Sequence, residues 1–323
     1  MIPLRDTLAS KNYPVANNTI IGVNIVLYLV ELTQGRVLDQ FLFVYGLVPA
    51  RYTIPHIASY FSIGQQLFSL VSFMFLHGGF WHLLGNMWSL YIFGDNVEDR
   101  LGSFRYLVFY FLCGIVSGLS HLIFNPFSNM PTIGASGAIA GVMGAYFILH
   151  PKARILTLIP IIIIPYFVEI PAFLFLGFWF LLQFYNIAIS QANVSGIAWW
   201  AHIGGFVFGM ILLKIFLVLP SMGITERIRK TTSKKRTHRL QVIRPGGPIE
   251  DPHLYGTIAI SPHEAFFGSQ KIVNIPWGFH RRLYTIKIPP GIEEGKTLRL
   301  KEMGKQIPDG HRGDLLLKVV IQS

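Results

Sequence analysis

Residues 17–220 hold nearly all of the apolar excess of this chain, in long runs with few charges among them. A run of about 20 apolar residues is what a helix needs to cross the hydrocarbon of a bilayer. Inside lipid every backbone N–H and C=O must find its partner within the protein. These two conditions leave a chain of this kind one main choice, a bundle of membrane-spanning helices. Only 13% of its 323 residues are Asp, Glu, Lys or Arg, against about 25% in soluble domains. Residues 225–323, by contrast, have the composition of an ordinary soluble sequence. The expectation is an α-helical polytopic membrane protein with a soluble tail.

Six spans are expected, at 17–33, 79–98, 104–124 and 134–150, from Pro171 to Ile189, and at 197–219. The apolar segment Gly35 to Gly78 is interrupted by Pro49, Arg51, Pro55 and Gly64, which suits a partly embedded loop better than a clean span. The run after Arg154 is too long for one helix and carries Pro160, Pro165 and Pro171, and proline breaks helix interiors. Residues 1–16 are polar, and the run that follows, Ile20 to Leu32, has no small-residue cleavage site. It reads as a retained first helix rather than a removed signal.

The net charge of +11 fits membrane topology better than nucleic-acid binding. Arg5, Lys11, Arg100, Arg105, Lys152, Arg154, Lys214 and the run Lys234, Lys235, Arg236 fall at one end of the spans, and Arg36 and Arg51 at the other. The positive-inside rule then places both termini in the cytoplasm. The absence of a transit peptide and the short loops point to a bacterial-type plasma membrane. Cys113 is the one cysteine, so no intrachain disulfide forms, and its apolar setting makes it a packing residue.

Polar side chains inside a span are costly and mark function by default. They recur in the first turns of alternate spans. The second opens with H-G-G-F-W-H-L-L-G-N (His77 to Asn86), the fourth with G-A-S-G (Gly134 to Gly137), and the sixth with A-H-I-G-G (Ala201 to Gly205). Ser136 needs a base to become a nucleophile, and His202 is the natural one. Ser136, Ala140 and Gly144 make one smooth stripe, and His202, Gly205 and Gly209 another. Small residues let transmembrane backbones approach closely. Acyl transfer also needs donors for a developing oxyanion. His82 and Asn86 lie about 40° apart on one helical face, whereas His77 would lie about 140° from His82. The oxyanion is therefore assigned to His82, Asn86 and the Ser136 N–H, and His77 to ordering the loop.

Asp95, Glu98, Asp99 and Glu169 fall at the inner ends of spans, and Glu31 and Asp39 flank a different helix, so a Ser-His dyad rather than a triad is expected. A lone G-A-S-G is ordinarily a packing motif, and a lone intramembrane histidine can line a channel or bind metal. No Cys, Asp or Glu joins His82 and His202 at the outer side, so neither a metal nor another cofactor is expected. Paired ionisable groups through the bilayer, which a channel or transporter would want, are missing.

These residues resemble the rhomboid family of intramembrane serine proteases. The match runs from about residue 15 to 220 and rests on F-L-H-G-G-F-W-H-L-L-G-N-M-W, G-A-S-G-A-I-A-G and A-H-I-G-G-F-V-F-G. The resemblance implies a six-helix bundle with a membrane-inserted first loop. It implies Ser136 as nucleophile, His202 as its base, and His82 and Asn86 as oxyanion groups. Gly134, Gly137, Ala140, Gly144, Gly205 and Gly209 would support the helix packing. It also implies transmembrane protein substrates, cut near the outer end of their helix at small residues. Some relatives stack a tyrosine, four residues after the serine, on the histidine; here that position is Ala140, so other contacts must hold the imidazole. The alternative is a rhomboid-like protein that holds membrane clients without cutting them.

Residues 221–251 read as a basic, hydroxyl-rich linker whose Lys234–Arg236 cluster would meet anionic lipid. Beyond Pro252 the apolar residues alternate, as in T-I-K-I around Leu283, Thr285 and Lys287, and in L-L-L-K-V-V-I around Leu315, Leu317 and Val319, the pattern of half-buried strands. Pro289-Pro290-Gly291 and Pro308-Asp309-Gly310 mark turns. A small all-β domain over 252–323 is expected. Its I-S-P-H-E-A-F-F-G-S, I-K-I-P-P-G-I-E-E-G-K-T-L-R-L-K-E-M-G-K and R-G-D-L-L-L-K-V resemble the C-terminal substrate-binding domain of DnaJ-type chaperones. This implies a cytoplasmic polypeptide partner for the tail. The His-Pro-Asp tripeptide of J-domains does not occur, so stimulation of a chaperone ATPase is not implied.

Overall fold

The apolar run after Pro14 is helical from Val15 to Leu32 (α1) in the computed structural model, and a distant carboxylate holds its start. The first N–H groups of a helix have no partner within it and favour negative charge. Glu98 supplies both, accepting from the N–H of Ala16 at 3.0 Å and of Asn17 at 2.8 Å. Asp99 accepts from the N–H and side-chain amide of Asn12. The carboxylates Glu98 and Asp99 are thus committed to anchoring the start of α1. The structure describes residues 1–8, 10–161, 164–189, 198–219, 232, 240–243, 245–248, 251–277, 280–306 and 311–322. The Lys234–Arg236 cluster and the Pro308–Gly310 turn lie outside them. The chain divides into two compact units, residues 1–234 and 235–323.

In the first unit, Gly35 to Gly78 folds as short helices at Leu38–Tyr45 (α2), Ala50–Thr53, Pro55–Ala58 and Ile63–Ser72 (α5). Arg51, read above as a charge at the outer face, is fully buried. Its guanidinium donates to the carbonyls of Val44 and Phe43 and lies 3.7 Å from the Phe61 ring centre. It therefore shapes the loop rather than flanking a span. The longer helices are Phe80–Leu101 (α6), Ser103–Phe124 (α7), Ser136–Leu149 (α8), Ala172–Ile189 (α9) and Trp199–Val218 (α10).

Among the described residues, four helices are long and apolar enough to cross a membrane by length and composition: α1, α7, α9 and α10. A fifth qualifies if α6 is joined to the Ile63–Phe75 helix, from which it bends by 80°. The six read from sequence are not reached by this criterion, for two physical reasons. His82, Asn86, Asp95 and Asn96 lower the hydropathy of α6. The helix α8 has 14 residues, about 21 Å, against roughly 30 Å of hydrocarbon. All residues of α8 from Gly137 to Tyr146 are buried, so its neighbours, not lipid, surround it.

The proline-bearing run after α8 is a hairpin, Arg154–Ile161 (β2) and Ile164–Pro171 (β3). Pro160 stands opposite Pro165. The strand Ile2–Asp6 (β1) completes an antiparallel sheet in the order β1-β2-β3. Asp6 ties it to the helices, accepting from the Tyr146 hydroxyl at 2.6 Å and the Asn96 amide at 2.8 Å. Glu169 lies on this hairpin, 3.9 Å from Arg154.

The second unit holds two three-stranded sheets. Leu240–Val242 (β4), Ser269–Trp277 (β6) and His280–Ile288 (β7) form one in the order β4-β6-β7, with β4 and β6 parallel. Leu254–Ile260 (β5), Leu315–Ile321 (β9) and Thr297–Leu300 (β8) form the other in the order β5-β9-β8. Ile258, Val273, Ile286, Leu315, Leu317 and Val319 fill its core. The N–H of Glu302, 3.0 Å from Asp314, holds that carboxyl below its ordinary value, with burial opposing and Arg299 helping. Two expectations need correction. The unit is not all-β, because Pro262–Phe267 is helical, closed by a reciprocal Ser261–Glu264 capping box. And β4 falls within the segment read as linker, because a three-residue strand is too short to show periodicity.

Candidate active site

The site is built where α8 and α10 touch. A Cβ on Gly205 would run into the carbonyl of Gly137, one on Gly209 into that of Gly141, and one on Gly144 into that of Phe206. The two backbones therefore meet directly, as small residues permit in membrane helices. Gly141, absent from the stripes read above, belongs to this contact and also faces Cys113 of α7, which is fully buried. Ala140 is buried beside Gly205.

This approach sets His202 Nε2 2.8 Å from Ser136 Oγ. Ser136 is the first residue of α8, so its N–H has no acceptor within the helix. Just before it, Gly134 has φ of +123°, a region that side-chain-bearing residues avoid. A Cβ there would also lie 2.8 Å from His82 Nε2. The same measurement puts Asn86 Nδ2 at 3.6 Å from that point, so the two polar tips converge next to Ser136.

The polarity of these tips follows from their partners. His82 Nδ1 accepts from the N–H of Gly78 at 3.3 Å; that nitrogen is then unprotonated, and the ring proton of a neutral imidazole sits on Nε2. Asn86 Nδ2 is buried without a hydrogen-bond partner among the described residues. Both residues line, with Ser136 and His202, a cavity of about 1000 Å³ that Trp81 and Trp199 also border. A buried donor left open is expensive unless something else arrives to accept from it.

His77 lies outside α6. Its N–H donates to both carboxylate oxygens of Glu31, at 3.0 and 3.1 Å, and its ring meets that of His82 edge-on at 5.2 Å. Glu31 of α1 thereby pins the loop leading into α6, a role the sequence reading did not anticipate. Nor did that reading find the neighbours of His202. Gln183 Oε1 on α9 lies 2.9 Å from His202 Nδ1. The indoles of Trp179 and Trp199 flank the imidazole, each 5.9 Å from it, beside the small Ala140. The signal that marks Gln183 is its type: with Asn186 it is one of two amides in a mostly apolar span.

The comparisons with known proteins agree with this architecture. Residues 64–219 match the model of the rhomboid domain, and residues 249–323 that of the DnaJ C-terminal domain. The chain is 32% identical over 166 residues to RHOMBOID-like protein 6, mitochondrial, of Arabidopsis thaliana, covering 50% of this chain and 48% of the relative. It is 27% identical over 177 residues to Rhomboid protein 1, mitochondrial, of Saccharomyces cerevisiae, covering 54% and 45%. It is 35% identical over 150 residues to the Rhomboid protease GluP of Bacillus subtilis, covering 46% and 25%. The chain spans about half or less of the length of these relatives. The paired glycines of α8 and α10, the residues gathered around them and these matches lead to one assignment: the chain is a membrane protein that carries a rhomboid domain over residues 64–219 and a DnaJ C-terminal domain over residues 249–323.

Proposed function

We propose that this protein is an intramembrane serine endopeptidase that cuts transmembrane substrates through an acyl-enzyme. The observation that carries the reading is the 2.8 Å contact between Ser136 Oγ and His202 Nε2 inside a cavity also lined by His82 and Asn86. Ser136 Oγ attacks the scissile carbonyl carbon while its proton passes to His202 Nε2. The resulting oxyanion accepts from the Ser136 N–H, His82 Nε2–H and the open Asn86 amide. Collapse expels the amine, which takes its proton from His202. Water, deprotonated by the same imidazole, then releases the acyl group and restores Ser136.

In this reading α6 and α8 complete a six-helix domain over residues 17–220, with both termini cytoplasmic and residues 1–16 and 221–251 flanking it. The domain over 252–323 binds extended polypeptide on the cytoplasmic side. The test is whether the full chain, reconstituted in liposomes with single-pass substrates, produces fragments cut near the outer end of the substrate helix. Binding of those substrates without any cleavage would favour the holding role instead. Given cleavage, His82→Ala and Asn86→Ala should each lower kcat by about 10²- to 10³-fold, the range for loss of one oxyanion donor. KM should hold nearly constant, because these donors act on charge that exists only in the transition state.

A further inference from the structure

Gln183 is 3% exposed on a helix whose neighbours in sequence are Leu181, Leu182, Phe184 and Tyr185. Nothing in the steps above uses it. Its amide nevertheless belongs to a chain of three hydrogen bonds that leads from the Trp179 carbonyl to the serine. Gln183 Nε2 donates to the carbonyl of Trp179 at 2.6 Å, Gln183 Oε1 meets His202 Nδ1 at 2.9 Å, and His202 Nε2 meets Ser136 Oγ at 2.8 Å.

The direction of this chain is not arbitrary. A backbone carbonyl only accepts, so the Gln183 NH₂ must face Trp179 and its oxygen must face the imidazole. An amide oxygen also only accepts, so His202 Nδ1 must carry the ring proton. A neutral imidazole has one, which leaves Nε2 bare and directed at the Ser136 hydroxyl. The wrong tautomer would present an N–H to the hydroxyl and could not remove its proton.

We propose that Gln183 is a positioning residue that locks His202 in the base-competent tautomer from the fifth apolar span, taking the place of a carboxylate in a triad. The proposal rests on the peptidase reading. Unlike a carboxylate, the amide brings no charge, so it orients the ring without favouring the imidazolium. Trp179, which accepts from Gln183 and stands 5.9 Å from the imidazole, ties ring and lock to the same turn of α9.

The experiment compares wild type, Gln183→Leu and Gln183→Glu in proteoliposomes and in ¹⁵N-histidine-labelled samples in detergent. Gln183→Leu keeps the bulk and removes the acceptor. It should lower kcat on the order of 10²-fold, between the ~10- to 100-fold cost of losing an orienting partner and the ~10⁴-fold cost of a fixed wrong tautomer. KM should stay nearly unchanged. Gln183→Glu restores an acceptor and should recover most of the rate. Its negative charge favours the protonated ring, so the acid limb of its kcat profile should move to higher pH.

In the nitrogen spectra, His202 (assigned by difference against His202→Asn) should show a bare Nε2 in wild type and a tautomer mixture in Gln183→Leu. A Gln183→Leu protein that cuts at the wild-type kcat overturns the proposal. So does one that is slow while its His202 spectrum is unchanged, because the loss would then come from packing. Either outcome leaves the peptidase reading standing, whereas a wild type that cuts nothing sinks that reading first.

Discussion

Ser136→Ala is expected to reduce cleavage by about 10⁵-fold or more, leaving only the residual catalysis that oxyanion donors and binding supply. Loss of the nucleophile in a serine peptidase costs on the order of 10⁶ in kcat. His202→Ala should fall nearly as far, since an alcohol without its base is a weak nucleophile. The double variant should be no slower than either single one, because the two residues act as a unit across their 2.8 Å contact and their losses do not add. Initial rates on one reconstituted substrate, with all three variants at matched protein levels, measure this. A double variant much slower than both singles would mean that the pair does not share one proton transfer.

Gly205→Val is expected to remove at least ~10²-fold of the activity while both reactive residues remain in place in the sequence. The added Cβ would run into the Gly137 carbonyl, which is backbone and cannot rotate away. The helices must separate, at a cost of about 1–3 kcal/mol in packing. Displacements near 1 Å are enough to cost ~10²-fold in rate, and the Ser136–His202 contact is the first casualty because it bridges these two helices. Gly22→Val is the control: a Cβ at Gly22 meets nothing within 4 Å, so its cleavage rate should match wild type. Thermal unfolding in detergent, read alongside the rate, separates lost geometry from lost fold.

The candidate site is legible in the sequence to the extent that its residues are anomalous. Ser136, His202, His82 and Asn86 are polar where lipid should exclude polarity, and their spacing puts them on known helical faces. The glycines of α8 and α10 were legible as stripes, but Gly141 escaped, because a helix apolar all round gives no sign of which small residue meets a backbone. Gln183 escaped for another reason. An amide in a long, mostly apolar run carries no motif, and its meaning comes from a histidine 19 positions away on the next helix. Arg51 looked like a flanking charge, because sequence does not show that the carbonyls of Phe43 and Val44 turn toward it. The prolines after Arg154 correctly excluded a helix, yet the third strand of that sheet, β1, comes from the far end of the unit. Pairing across such a distance leaves no local trace.

The most direct measurement is the mass-spectrometric location of a fluorophosphonate adduct on the full chain in a membrane. The account predicts a single adduct on the peptide containing Ser136, formed by wild type, lost in Ser136→Ala and strongly slowed in His202→Ala. An adduct on another residue, or undiminished labelling in Ser136→Ala, would contradict it.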